Sequence, residues 1–339
     1  MSKFILPLAY VGLLAASPAS AQFFEEKFGN ERVETRDFRN PEVKRAAEAR
    51  PADGHAGHNH AGHNHGAGGH EHGVETENLF GFTLGSDVDP AGSKAVAIEN
   101  IMRFGKRETR YTALGQKIEF AYGITDNFSA SLSLLGDYHR IKEKPAFLGA
   151  VGDVKGRYLF NGFGGEMRYR FLDRKTSPFG LTLHLEPSLA FSDEASGLKG
   201  RKYGSENKLI FDQEIVKDKL FMAFNLTHEM EVTKERGVGA WERGSTVGAS
   251  LAATYQVLPN IFLGAETRYL RSYDALRLKT YNGDAWYVGP TFSARFAESY
   301  WISVAYSGLV GGHAKGSTQK LDLGNFERHQ IRLKAGMEF

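Results

Sequence analysis

The sequence predicts an all-β protein, a transmembrane antiparallel up-and-down β-barrel of about twelve strands preceded by a flexible N-terminal arm. Three observations point there. Apolar and polar residues alternate with period two from Ala95 to Phe339. Beyond residue 21, no stretch is apolar for the roughly 18 positions that a membrane helix needs. Short polar turns alternate strictly with long polar connections, the arrangement of a barrel with short turns at one end and long loops at the other.

Residues 1–21 read as a secretory signal. Lys3 supplies the positive start, Phe4 to Ala16 the apolar stretch, and Ala19-Ser20-Ala21 the small-residue cleavage site, so the exported chain begins at Gln22. The apolar run is too short to cross a bilayer. Residues 22–53 form a densely charged arm. Within it, Asn40-Pro41-Glu42 supplies an N-cap, a first-turn proline and an acid for a short helix that Pro51 would end.

Residues 54–77 are the histidine-rich segment. His55, His58, His60, His63, His65, His70 and His72 make up seven of the chain's 12 histidines, and Ala-Gly-His-Asn-His occurs twice in succession. Neutral imidazole is a ligand for Zn, Cu and Ni, and a glycine-rich backbone lets several rings converge on one ion. Affinity should follow the usual divalent order and fade below about pH 6.5 as the rings protonate. The alternative is a low-complexity linker whose metal affinity has no physiological role. No cofactor is required by anything in the sequence.

Residues 78–339 carry the barrel. In the last strand Ile331, Leu333, Ala335, Met337 and Phe339 fall on one face, and Gln330, Arg332, Lys334, Gly336 and Glu338 on the other. The same opposition recurs around Ile118, Leu132, Leu183, Leu251, Leu263 and Phe292. Five tight turns, at 125–127, 173–178, 217–219, 258–260 and 297–299, alternate with longer connections near 106–114, 139–162, 193–204, 233–244, 272–284 and 310–325. Counting between them gives twelve strands, an even number that brings both ends to the short-turn side. Phe128, Phe179, Phe221, Phe262, Tyr300 and Trp301 follow those turns, and with Phe339 they are expected to form an aromatic girdle at the headgroup level. Residues 78–92 are expected to be a strand or a surface turn, with folding back into the barrel as the other possibility. Asp87, Asp89 and Gly92 only faintly match a calcium loop that lacks its glutamate.

Other classes are disfavoured. The chain has no cysteine, which excludes thiol nucleophiles, iron–sulfur clusters and cysteine zinc sites. A net charge of +2 without a basic block argues against nucleic acid as a partner. No G-x-S-x-G, P-loop or H-E-x-x-H motif is present, and His228-Glu229 lacks a second histidine. A hydrolase assembled from Ser, His and Asn on a strand face stays as the least favoured alternative.

The terminal strand ending in Phe339 resembles the assembly signal of Gram-negative outer-membrane barrels. Asn78-Leu79-Phe80-Gly81-Phe82-Thr83-Leu84-Gly85-Ser86-Asp87 with Pro90-Ala91-Gly92, followed by Tyr122-Gly123-Ile124-Thr125-Asp126-Asn127, is similar to the opening of uncharacterised, transporter- or porin-like outer-membrane proteins. The resemblance spans residues 78–339 and leaves the histidine-rich segment outside. It implies localisation in the cell outer membrane with the arm in the periplasm, contact with outer-membrane lipid, and delivery by the barrel-assembly machinery through the strand ending in Phe339.

On this register Glu99, Arg103, Lys117, Glu119, Arg168, Arg170, His184, Glu186, Asp212, Glu214, Glu266, Arg268, Arg295, Arg332, Lys334 and Glu338 point inward. They could line a selective polar path or pair across a closed, non-conducting barrel. His184 with Glu186 could hold a metal ion or form a hydrogen-bonded pair. The expected function is a channel or transporter for a small solute or ion, transition-metal-related through the histidine tract. The alternative is a non-conducting barrel that displays the tract as a periplasmic metal buffer or adaptor.

Overall fold

The computed structural model describes residues 74–106, 110–142, 156, 158–193, 197–236, 240–296 and 299–339. The seven arm histidines, the signal and the charged arm lie outside these residues. Twelve strands follow in order: β1 (Lys94–Phe104), β2 (Arg110–Thr125), β3 (Phe128–Lys142), β4 (Tyr158–Leu172), β5 (Gly180–Ser192), β6 (Lys199–Val216), β7 (Leu220–Glu235), β8 (Glu242–Leu258), β9 (Ile261–Asp274), β10 (Thr280–Phe296), β11 (Tyr300–Gly311) and β12 (His329–Glu338). Each pairs antiparallel with its sequence neighbours. β12 returns to β1 with Ala95 opposite Glu338 and Phe104 opposite His329, so the sheet closes on itself.

Closure matters because hydrocarbon tolerates no unpaired backbone group, and a ring of strands has no edge. The side chains follow the same logic. Leu132 (74% exposed), Phe160, Phe171, Leu251, Leu263 and Val310 stand on the outer surface, while Glu119, Arg168, His184, Asp212 and Glu266 are buried in the lumen. A water-soluble fold would invert this order, so the chain is a transmembrane β-barrel of the outer-membrane type. The strands hold 10 to 18 residues, at or above the roughly 9–11 that cross a bilayer when tilted.

Short turns fall where the sequence places them. Asp218 (φ 55°) and Asn260 (φ 60°) adopt left-handed backbone at the β6–β7 and β8–β9 turns. Asp and Asn tolerate that region better than other side chains. At the β4–β5 turn the Asp173 side chain accepts from Lys175 N at 2.8 Å. At the other end, the 312–328 connection folds inward. Phe326 packs against Ala285, Tyr287 and Leu309, with Leu321 and Leu323 beside it. The Tyr287 hydroxyl donates to the Glu327 carbonyl at 2.5 Å.

Residues 90–92 do make an exposed turn, but residues 74–89 are neither strand nor surface turn, which corrects the expectation for 78–89. They form a plug inside the short-turn end of the lumen, continuous across the boundary expected at residue 78. Leu79 and Phe80 pack against Phe221, Ala223, Ala252 and Phe262. Phe221, Phe262 and Trp301 are each at most 6% exposed and belong to the lumen, not to the expected girdle. The reason is parity. Each is the second residue of its strand, so period-two alternation sends it to the face opposite Leu220, Ile261 or Tyr300. The outward aromatics at this end include Phe171, Phe179, Phe296, Tyr300 and Phe339, with Phe128 tilted against the exposed Tyr169 at 6.5 Å.

Candidate solute-binding site in the lumen

The plug is held by side chains from most of the wall. Thr83 N donates to Glu266 of β9 at 3.0 Å, and Ser303 of β11 donates to the Phe80 carbonyl at 2.7 Å. Arg332 of β12 reaches the Gly81 carbonyl. Arg168 of β4 donates to the carbonyls of Gly85 and Asp87 at 2.6 and 2.9 Å. Asn225 of β7 accepts from Leu84 N at 2.7 Å and donates back to the Leu84 carbonyl at 2.9 Å, imitating a strand partner. A plug tied to β4, β7, β9, β11 and β12 crosses the lumen.

Its two ends meet. Thr76 N donates to Asp87 Oδ2 at 2.8 Å, and Arg174 Nη1 pairs with the same oxygen at 2.6 Å. Asp212 accepts from Thr76 Oγ1, from Ser86 N at 2.9 Å and from Ser86 Oγ at 2.5 Å. Gly85 is required here: a Cβ would stand 2.1 Å from the Thr76 carbonyl oxygen. Burial would raise the Asp87 carboxyl, but Arg174 and the Thr76 amide outweigh it and hold it low. Burial pushes Glu77 up to about 8 against the pull of Arg168, and pushes Asp89 up to about 6.

Above this floor is a cavity of about 380 Å³, the volume of a small-molecule site. Glu77, Phe82 and Leu84 of the plug line its base, and β1 to β9 with β12 line its wall. The inward connection 312–328 occupies the β10–β11 side, where Tyr287 and Leu309 face it. Arg268 lies 3.7 Å from the Phe82 ring and 5.1 Å from Tyr287, joining floor to wall by cation–π contact.

The wall carries both signs of charge. Lys117 Nζ lies 2.8 Å from Glu186, 3.5 Å from Glu119 and 3.8 Å from Glu166. Arg332 pairs with Glu99 at 2.6 Å, and Lys334 lies 3.7 Å from Glu119. His184 lies among Glu166, Glu186 and Glu206. Of the residues expected to point inward, Glu99, Arg103, Lys117, Arg168, His184, Glu186, Arg268, Arg332 and Lys334 line this cavity. Asp212 and Glu266 hold the plug, and Arg170 and Arg295 stand near the turns beside Asp87 and Glu75. Glu214 instead accepts from Asp218 N at the β6–β7 turn. Glu166, Glu206, Lys208 and Glu229 were missed, although counting in twos from Arg168 and Asp212 reaches the first three.

The model of the family of unknown function DUF6662 matches residues 72–339. The chain belongs to that family. The DUF6662 match takes in the plug and all twelve strands, and six of the seven arm histidines precede it. No curated protein matches the chain. Similar solved structures include an outer membrane channel from Pseudomonas putida F1, at 12% identity and TM-score 0.49, covering 75% of this chain and 98% of that one. The beta domain of the Bordetella autotransporter BrkA is similar at 10% identity and TM-score 0.48, covering 74% and 100%. The NanC porin is similar at 13% identity and TM-score 0.39, covering 72% and 98%. At such levels neither cargo nor direction transfers to this DUF6662 member.

Proposed function

We propose that the chain is an outer-membrane channel that admits a small polar or charged solute from the loop end, holds it in the lumen cavity and releases it past the N-terminal plug. The observation that carries this reading is the cavity itself. It is lined by ten strands, eight of which carry charges, of both signs overall, and it is closed at its base by a segment of the chain's own N-terminal part, not by strand side chains. In this reading the short turns and the arm face the periplasm, the signal at 1–21 is removed on export, and the strand ending in Phe339 engages the assembly machinery. The histidine tract then collects Zn²⁺, Cu²⁺ or Ni²⁺ at the plugged mouth.

The plug crossing the lumen favours a second reading, a non-conducting barrel that displays the arm as a metal buffer or adaptor. Planar-bilayer recording of the refolded full chain separates the two. Stepwise currents that grow when the Arg174–Asp87 pair, the latch between the two ends of the plug, is broken support the channel. A silent barrel in both the parent and the unlatched variant leaves the display role. Replacing the seven arm histidines by alanine then tests the tract: an unchanged metal response of the current disconnects it from transport.

A further inference from the structure

Three lumen residues from adjacent strands form a compact cluster inside the salt-bridge network. Glu166 of β4 and His184 and Glu186 of β5 each present a ligand atom, and these atoms all lie within 4.8 Å of one another. His184 Nδ1 is 3.4 Å from Glu166 Oε1, and Nε2 is 3.4 Å from Glu186 Oε2. The His184 side chain is 1% exposed, yet both ring nitrogens are buried without a hydrogen-bond partner. A buried imidazole lacking hydrogen bonds on both nitrogens is costly unless something binds it.

We propose that Glu166, His184 and Glu186 form a binding site for a first-row divalent transition-metal ion within the lumen, so that the solute admitted by the channel is itself such an ion. This rests on the channel reading above for its role, though not for its geometry. Bonds of about 2.0–2.2 Å in a tetrahedral set put neighbouring ligand atoms about 3.3–3.6 Å apart, so a set lying within 4.8 Å closes on an ion by small side-chain shifts. One imidazole with two carboxylates suits Zn²⁺, Co²⁺ or Cu²⁺ better than Ca²⁺, which takes six to eight oxygens. Three protein ligands leave at least one position open, and the site lines the cavity. That suits an ion held in passage, since conduction requires binding weak enough to release.

The surroundings position the ligands. Lys117 takes Glu186 Oε1 at 2.8 Å and lies 3.8 Å from Glu166 Oε2, so the oxygens facing His184 are the other ones. With Nδ1 on the ion, Nε2 keeps Glu206, which is outside the ligand set, 4.0 Å away. Such outer partners fix tautomer and ring orientation in metal sites.

The test uses Co²⁺ absorption on the full chain carrying alanine at the seven arm histidines, refolded in detergent. One equivalent of Co²⁺ should produce the visible bands of a low-coordinate site, and His184→Gln should abolish them. Glu166→Gln and Glu186→Gln should each weaken binding roughly tenfold or more. Absence of bands in the parent, or bands that persist in His184→Gln, overturns the proposal. If His184→Gln fails to fold, judged by heat-dependent gel mobility, the isosteric double variant Glu166→Gln/Glu186→Gln decides in its place. Currents of the same protein in KCl keep the two ideas apart. Currents without Co²⁺ bands sink the metal site and spare the channel. Co²⁺ bands in a silent barrel sink the channel and spare the site.

Discussion

At the short-turn end of the lumen, Asp87 and Asp212 receive donors from Thr76, Ser86 and Arg174, and Leu79 and Phe80 sit among Phe221 and Phe262. At the loop end, the lumen encloses a cavity, and a buried histidine faces carboxylates without hydrogen-bonding to them. The same barrel thus treats polar groups in two ways. One half commits them to its own chain, around the apolar cluster of Leu79, Phe80, Phe221 and Phe262. The other half pairs its charges with one another around a cavity and leaves both nitrogens of His184 without a hydrogen bond. The difference teaches that a lumen rich in charge is neither open nor closed by composition alone; what decides is whether a segment of backbone is present to use up the donors and acceptors.

The comparison can be broken most severely at the latch. Arg174→Ala leaves Asp87 buried beside Asp212 without its closest cation, a change of about 3–5 kcal/mol for a buried pair that loses one partner. Bilayer currents should rise and protease should cut within 74–89; unchanged currents would show that the plug does not control passage. Phe80→Ala comes next, at about 3 kcal/mol, because it empties the apolar centre between Phe221 and Phe262. Its effect should be on plug protection measured by hydrogen exchange, with the barrel amides unaffected.

Proton concentration sharpens the contrast further. Glu77 titrates near 8 when seated and near 4.5 once released, so seating is favoured fully below about pH 4.5 and loses that advantage as pH rises through 8. Asp87 acts oppositely: its lowered value supports seating above about 3.8, and that support is lost as pH falls through the lowered value. Currents should therefore increase between pH 5 and pH 9, and Glu77→Gln should flatten the rise. A rise of the same size in Glu77→Gln would assign it elsewhere. The smallest effect belongs to the loop end. Glu231→Gln removes a half-exposed partner of Lys202 at 2.7 Å and should cost under about 1 kcal/mol without altering plug protection. An equal cost at both ends would erase the distinction drawn above.

The strands were legible because period two is set by the pleat and holds over most of each strand, although bulges such as the one at Gly162, with both Phe160 and Phe163 outward, shift it locally. It fixed β12 residue by residue and put Lys117, His184 and Arg332 inside. At the turns the same rule outranks closeness to a headgroup level, so Phe221, Phe262 and Trp301 face the lumen, not the lipid. The plug was not legible. Phe80, Phe82 and Leu84 fall at every second position as in a strand, yet Leu79, Phe80, Thr83 and Leu84 are all buried, because their partners come from several strands at once. Gly81 and Gly85 were the available signal. A Cβ on Gly81 would stand 2.6 Å from the Ala305 Cβ, so the motif they share marks a backbone pressed against other chain. Glu166 was within reach of the rule and was overlooked. The empty contacts of His184, by contrast, exist only in three dimensions.

Because the plug enters and leaves its seat at one place, tension applied from residue 73 is borne first by the clasp of Thr76, Asp87, Arg174 and Asp212. Contacts deeper in, such as Ser303 on the Phe80 carbonyl, feel no load until the clasp parts. Extraction is then a threshold event, with little yielding below a critical force and release of the whole loop above it. A straight segment lying along the wall would have peeled away contact by contact instead.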